Sequence, residues 1–141
     1  MQRSAQAIWR GDLKSGKGSI SSDSGVLKDT QYSFSTRFEN GIGTNPEELI
    51  AAAHAGCFAM AFSAELGKAG ITPDSISATA TVSLDKTDAG WTVTASHLDV
   101  TAKIPGGDKT QVLGIANVAK LGCPISRLLR ANVTMEARLE G

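Results

Sequence analysis

Hydrophobic and polar positions alternate along several stretches of the chain and crowd together along one. Ala5, Ala7 and Trp9 fall on one face of a short first strand. Turn signals follow at Gly11-Asp12 and Lys14-Ser15-Gly16, and Gly18 to Ser21 suits a second strand. Over 32–38 large apolar and polar residues alternate, which predicts a third, half-buried strand with Arg37 close to its end. A helix is predicted next, with Thr44 or Asn45 as N-cap, Pro46 in its first position and Glu47-Glu48 at its positive end. From Leu49 to Leu66 almost every residue is apolar or small, so the pattern predicts a helix buried on all sides, about 30 Å long. Ala52, Ala53, Ala55 and Gly56 leave room for another backbone to pack close; Gly56 costs about 1 kcal/mol of helix propensity, so that gap has a purpose.

The second half reads as a hairpin, two helices and a strand. Ile76, Ala78, Ala80, Val82 and Leu84 alternate with polar residues, and Asp85 to Gly90 is a turn. Trp91, Val93 and Ala95 continue on odd positions, but Leu98, Val100, Ala102 and Ile104 fall on even ones. That change of phase predicts a β-bulge near Ser96-His97. A helix over 108–121 presents Val112, Ile115, Ala116 and Ala119, Cys123-Pro124 opens a short helix to Arg130, and Val133, Met135, Ala137 and Leu139 mark a final strand. The class is α+β, with mostly antiparallel strands and a buried helix.

Length and composition narrow the possibilities without choosing among them. A chain of 141 residues suits one domain, residues 1–141. Hydrophobic residues at 41% and charged residues at 20% fit a folded domain rather than a disordered chain. Lys and Arg number 14, as do Asp and Glu, which argues against nucleic acid and anionic membrane surfaces as partners. The first residues lack a signal-peptide layout, and no window reaches about 18 uninterrupted apolar residues. A cytoplasmic location in a reducing compartment is therefore expected. Two cysteines, Cys57 and Cys123, are too few for a disulfide scaffold, so they are either packing or redox groups.

The two thiols are not equivalent. Cys123 precedes Pro124 at a helix start, where backbone N–H groups and the helix dipole favour a thiolate. Cys57 lies about twelve residues into its helix, beyond the dipole's reach. As a thiolate it needs a cation from elsewhere, and Arg37 is the nearest candidate in sequence, with Glu47 able to hold it by a bidentate ion pair. His54, three residues before Cys57, competes for that role, although a histidine satisfied within a packed helix is the commoner arrangement. Glu47 and Glu48 equally fit charges that merely complement the helix start. His97 has no partner visible in the sequence. The two histidines and two cysteines lack zinc spacing, and no metal or other cofactor is expected.

Thr36-Arg37-Phe38, Gly43-Thr44-Asn45-Pro46-Glu47-Glu48-Leu49, Ala52-Ala53-His54-Ala55-Gly56-Cys57-Phe58 and Gly122-Cys123-Pro124-Ile125-Ser126 together resemble the osmotically inducible protein C (OsmC) family, related to the organic hydroperoxide resistance (Ohr) proteins. The resemblance runs essentially end to end, and the Arg-Phe and GTNPEEL blocks place it nearer the OsmC branch. It implies an OsmC-like α+β fold: antiparallel sheets wrapped around a long buried central helix, in an intertwined homodimer with active sites at the subunit interface. It also implies a thiol-dependent peroxidase for organic hydroperoxides, with Cys57 peroxidatic, Cys123 resolving and Arg37 with Glu47 activating. The reductant it implies is a dithiol, dihydrolipoamide on a lipoylated protein.

The chemistry suits the residues. A Cys57 thiolate attacking ROOH becomes a sulfenic acid, Cys123 condenses with it, and an external dithiol restores both. Phe34, Phe38, Ile42, Phe58 and Met60 are candidate walls for an apolar substrate, each equally suited to plain core. Arg127 and Arg130 could attract an acidic lipoyl domain, though solvated surface charge is the commoner role. Two other readings remain open at this level. A Cys57–His54 hydrolase or thioesterase would need no Cys123. A non-enzymatic binding module for apolar ligands would use the same pocket without redox chemistry.

Overall fold

Two tight turns bring the first three strands together: β1 (Ala5–Arg10), β2 (Lys17–Ser22) and β3 (Thr30–Tyr32) form an antiparallel sheet in that order. The computed structural model describes all 141 residues, which fall into two compact units, 1–49 and 50–141. In the first unit the Trp9 and Tyr32 rings meet with centroids 5.5 Å apart. Gly18 lies beneath both, and a Cβ there would run into the two rings.

The alternation over 32–38 does not produce a strand past Tyr32. Ser33 caps a one-turn helix, α1 (Phe34–Phe38). Its hydroxyl accepts from Thr36 N–H at 3.3 Å, and Thr36 Oγ1 accepts from Ser33 N–H at 2.8 Å. This reciprocal capping box satisfies two donors locally and overrides the two-residue period. Arg37 therefore sits in the last turn of a helix, not on a strand.

Helix α2 (Pro46–Lys68) begins in the first unit and continues through the second. Its N-cap is Asn45, whose Oδ1 accepts from Glu48 N–H at 2.8 Å. In the second unit its buried residues are His54, Phe58, Phe62 and Leu66, a single stripe at four-residue spacing. The expectation of burial on all sides is corrected here. Ala52, Ala53, Gly56, Met60 and Ala64 are exposed, Met60 to 77%. Small and apolar residues all round a helix mark surfaces fit for burial, and one chain supplies a cover for only one of them. By length and composition α2 could also cross a membrane. Its buried stripe instead belongs to a protein core shared with Leu98, Val100, Ala102, Val112 and Ala116.

That core rests on a three-stranded sheet, β4 (Ser75–Thr87), β5 (Gly90–Lys103) and β6 (Asn132–Glu140), with β5 central. β4 and β5 form the expected antiparallel hairpin. The phase change lies at Thr94, left over between the pairs Ser83–Ala95 and Leu84–Val93, two residues before the predicted Ser96. It turns Ser96, Leu98, Val100 and Ala102 inward, all fully buried. β6 runs parallel to β5, an exception to the antiparallel expectation. The intervening α3 (Lys109–Gly122) and α4 (Pro124–Leu128) supply the crossover that parallel pairing needs.

Candidate functional site

The predicted site residues are placed by three local constructions. In the first unit, α1 presents Arg37 and the start of α2 presents Glu47. Asn45 ties the two helices, its Nδ2 donating to the Thr36 carbonyl at 2.9 Å. Thr44 N–H donates to the Gln31 carbonyl at 2.9 Å, and Thr44 Oγ1 donates to Glu48 at 2.6 Å. Glu48 is thus engaged in holding the helix start. Glu47 is left to meet Arg37.

Arg37 grips Glu47 side-on. Nη2 donates to Oε1 at 2.6 Å, and Nε lies 3.1 and 3.2 Å from the two carboxylate oxygens. The Glu47 side chain is only 12% exposed and that of Arg37 37%. The fork geometry fixes the guanidinium plane and leaves Nη1 free of the carboxylate. Beside it is a cavity of about 260 Å³, lined by Trp9, Tyr32, Phe34, Phe38 and Pro46 as well as Arg37. An apolar recess with one cation at its wall suits a molecule with a hydrocarbon body and a polar head. Of the expected apolar walls, Phe34 and Phe38 line this recess. Ile42 and Met60 are exposed on the single chain, and Phe58 is fully buried in the core of the second unit.

In the second unit α2 presents Cys57 to the junction of α3 and α4, where Cys123 is both the last cap of one helix and the first of the next. Both cysteines are free thiols, Cys57 half-buried and Cys123 fully buried. The two thiols are close enough to perturb each other, and the Ile125 backbone also acts on Cys57. Burial, followed by the neighbouring Cys123 thiol, pushes the Cys57 thiol above its ordinary range; the Ile125 backbone opposes this only in part. Within its own unit these contacts favour the neutral form of the Cys57 thiol.

His54 does not supply one. It is fully buried, with Nδ1 2.7 Å from Ser96 Oγ and Nε2 2.8 Å from Ser126 Oγ. Both ring nitrogens are occupied, and burial holds its pKa below the ordinary histidine value, so the ring stays neutral. A Cys57–His54 dyad would need one of those nitrogens on sulfur. His97 bonds Thr134 Oγ1 at 2.6 Å across the β5–β6 pair, a sheet contact that the sequence does not reveal. Ser96 and Ser126 were missed by sequence reasoning for the same reason: serine at such positions carries no periodic signal. No group of three or more His, Cys, Asp or Glu side chains gathers to hold a metal.

Residues 39–138 match the family model described as OsmC-like protein. The chain is 51% identical over 140 residues to peroxiredoxin OsmC of Escherichia coli (strain K12), covering 99% of this chain and 98% of that one. It is 34% identical over 124 residues to the organic hydroperoxide resistance protein OhrB of Bacillus subtilis (strain 168), covering 87% and 89% of the two chains. Among solved structures, an OsmC-like protein of Vibrio cholerae O1 biovar eltor superposes with a TM-score of 0.78 at 21% identity, over 97% of this chain and 99% of that one.

Proposed function

The chain belongs to the OsmC family, and from that premise we propose that it reduces organic hydroperoxides to alcohols as a thiol-dependent peroxidase, with Cys57 as nucleophile and Cys123 as resolving thiol. The observation that carries the reading is two free thiols that act on each other, with Cys123 at a helix junction. The Cys57 sulfur attacks the distal oxygen of ROOH and the O–O bond breaks. The departing alkoxide takes a proton and leaves as alcohol, while Cys57 holds the distal oxygen as a sulfenic acid. Cys123 sulfur then displaces that oxygen as water, forming a disulfide. Arg37 binds the peroxide and stabilises the departing oxygen, and Glu47 is a positioning residue that holds its guanidinium plane.

Treating the reduced protein with one equivalent of cumene hydroperoxide will produce a Cys57–Cys123 disulfide, seen by mass spectrometry as the loss of two hydrogens. Release of one equivalent of cumyl alcohol accompanies it. A protein that stays fully reduced under these conditions removes the peroxidase assignment for these residues. A cycle that closes on a dithiol fits the cytoplasm, and a dithiol on a lipoylated protein is the proposed donor. Exposed Arg127 and Arg130 near Cys123 support an acidic donor surface.

Residues 1–141 act as a single OsmC-like domain within an intertwined homodimer. The support is the uncovered face of α2, where Ala53, Gly56, Met60 and Ala64 lie in the open. Nothing within 4 Å fills the space beside Gly56, so the single chain gives its helix-weakening glycine no packing role. A second α2 passing close by would. Met60→Glu places a carboxylate in that contact on both copies of a two-fold interface. An unpaired buried carboxylate costs several kcal/mol, so sedimentation will find monomer where the wild-type protein is a dimer. A Met60→Glu protein that remains dimeric shows that this face is not the interface.

A further inference from the structure

We propose that His54 is a positioning residue for disulfide formation, holding α4 through Ser126 so that Cys123 stays on Cys57. The proposal rests on the roles given above to the two cysteines. Helix α4 has five residues, none of them fully buried, and Ile125 alone of its side chains packs against the core, so few contacts of its own anchor it. Yet it follows directly on Cys123, and its Ile125 backbone acts on Cys57. Ser126, the next residue, is bonded to a histidine that is fully buried.

The two contacts are in step. On α2, His54 precedes Cys57 by three residues; at the α4 start, Ser126 follows Cys123 by three. His54 meets Ser126 where Cys57 meets Cys123, so a hydrogen bond at one position fixes the sulfur pair at the neighbouring one. Ser96, on the central strand, holds the opposite ring nitrogen at 2.7 Å and sets the plane of the imidazole. A neutral ring has one donor and one acceptor nitrogen, and hydroxyls can satisfy both, so the Ser96–His54–Ser126 chain is complete without charge.

The step served is the second. Cys123 gives up its proton, its sulfur attacks the Cys57 sulfenic sulfur, the S–S bond forms as the S–O bond breaks, and the hydroxide leaves with that proton as water. The sulfurs exchange no electrons with any other reagent. Such a displacement needs three atoms in line, and a misplacement of about 1 Å can cost on the order of 10²-fold. The peroxide step uses Cys57 and Arg37, and α4 bears on it only through the Ile125 backbone beside Cys57.

The test is single-turnover kinetics with cumene hydroperoxide, reading Cys57 sulfenate by dimedone trapping and the disulfide by quenched mass spectrometry. In His54→Gln the amide reaches as far as Nε2 and keeps a partner for Ser126; in His54→Asn it reaches only as far as Nδ1. Ser126→Ala and His54→Asn will form sulfenate within about twofold to threefold of the wild-type rate but slow its conversion to disulfide about tenfold or more. His54→Gln will restore most of that conversion. The proposal is overturned if Ser126→Ala converts sulfenate at the wild-type rate. It is equally overturned if Asn and Gln at position 54 slow both steps alike, since that is general damage to the core. If the wild-type protein forms no sulfenate at Cys57, the peroxidase assignment of that residue itself fails, which is a separate result.

Discussion

Cys57→Ser will lose turnover of cumene hydroperoxide by about 10³-fold to 10⁶-fold, as enzymes do when the nucleophile is removed. Cys123→Ser will instead reduce one equivalent per chain in a burst and then slow. The difference follows from what each sulfur does. In the proposed cycle only Cys57 meets the peroxide oxygen, and a serine hydroxyl at neutral pH is a far weaker nucleophile than a thiol. In Cys123→Ser the sulfenate still forms, but its resolution now depends on an external thiol arriving by diffusion. The contacting pair is replaced by a bimolecular encounter, and at micromolar dithiol the steady rate will fall on the order of 10²-fold or more. Raising the dithiol concentration will recover the rate in proportion. The measurement is a dithiol-coupled peroxidase assay with burst analysis. Full steady turnover in Cys123→Ser would mean that the external thiol resolves the sulfenate directly and that Cys123 is not the resolving thiol.

Arg37→Lys will lower kcat/KM for organic hydroperoxides by about 10²–10³-fold, the usual loss when a donor to a developing oxyanion is removed. Lys keeps the charge but has no planar fork, so it cannot both grip Glu47 side-on and present a second face to the peroxide. Thiolate population is a poor rival explanation. A thiol of pKa about 8.5 is about 3% ionised at pH 7, and lowering its pKa to about 6 gains about thirtyfold in thiolate. The same shift of about 2.5 units weakens the nucleophile roughly tenfold, leaving only a few-fold net.

The pH profile separates the two. Burial and the Cys123 contact push the Cys57 thiol up, and no charged partner within its own unit opposes them. In Arg37→Met, sulfenate formation will therefore rise with pH, about tenfold per unit, until the pH passes that raised pKa. Its plateau will stay well below the wild-type plateau, because full ionisation does not replace the lost donor. A variant that reaches the wild-type rate at high pH would mean that Arg37 acts on the thiol alone.

How much of this could be read from the residues varies with how local each interaction is. The second and third predicted helices, the hairpin and the last strand lie within a few residues of their predicted bounds, since caps and periodicities are set by near neighbours. Where two local signals compete, the stronger prevails. Over 32–38 the Ser33–Thr36 capping box overrides a clear two-residue alternation and carries Arg37 onto a helix. The bulge was legible as a change of phase, but its place at Thr94 depends on pairing with β4. Burial on all sides of α2 was not decidable from its composition, because apolar residues announce that a face can be covered and not which chain covers it.

The candidate site divides along the same line. Arg37, Glu47 and the two cysteines stand out in one dimension, as do the cap at Asn45 and the helix opened by Pro124. Their residue types and motif blocks were enough to suggest a thiol cycle. The sequence is silent on the fate of His54. A buried imidazole has two nitrogens to satisfy, and its partners lie 42 and 72 residues away. Only folding brings Ser96 and Ser126 to it, because hydrogen-bond partners of a buried group are chosen by packing in space. That packing removes His54 from the list of bases for Cys57. It also leaves the Cys57 thiol raised by burial, with no charged partner within its own unit to oppose that.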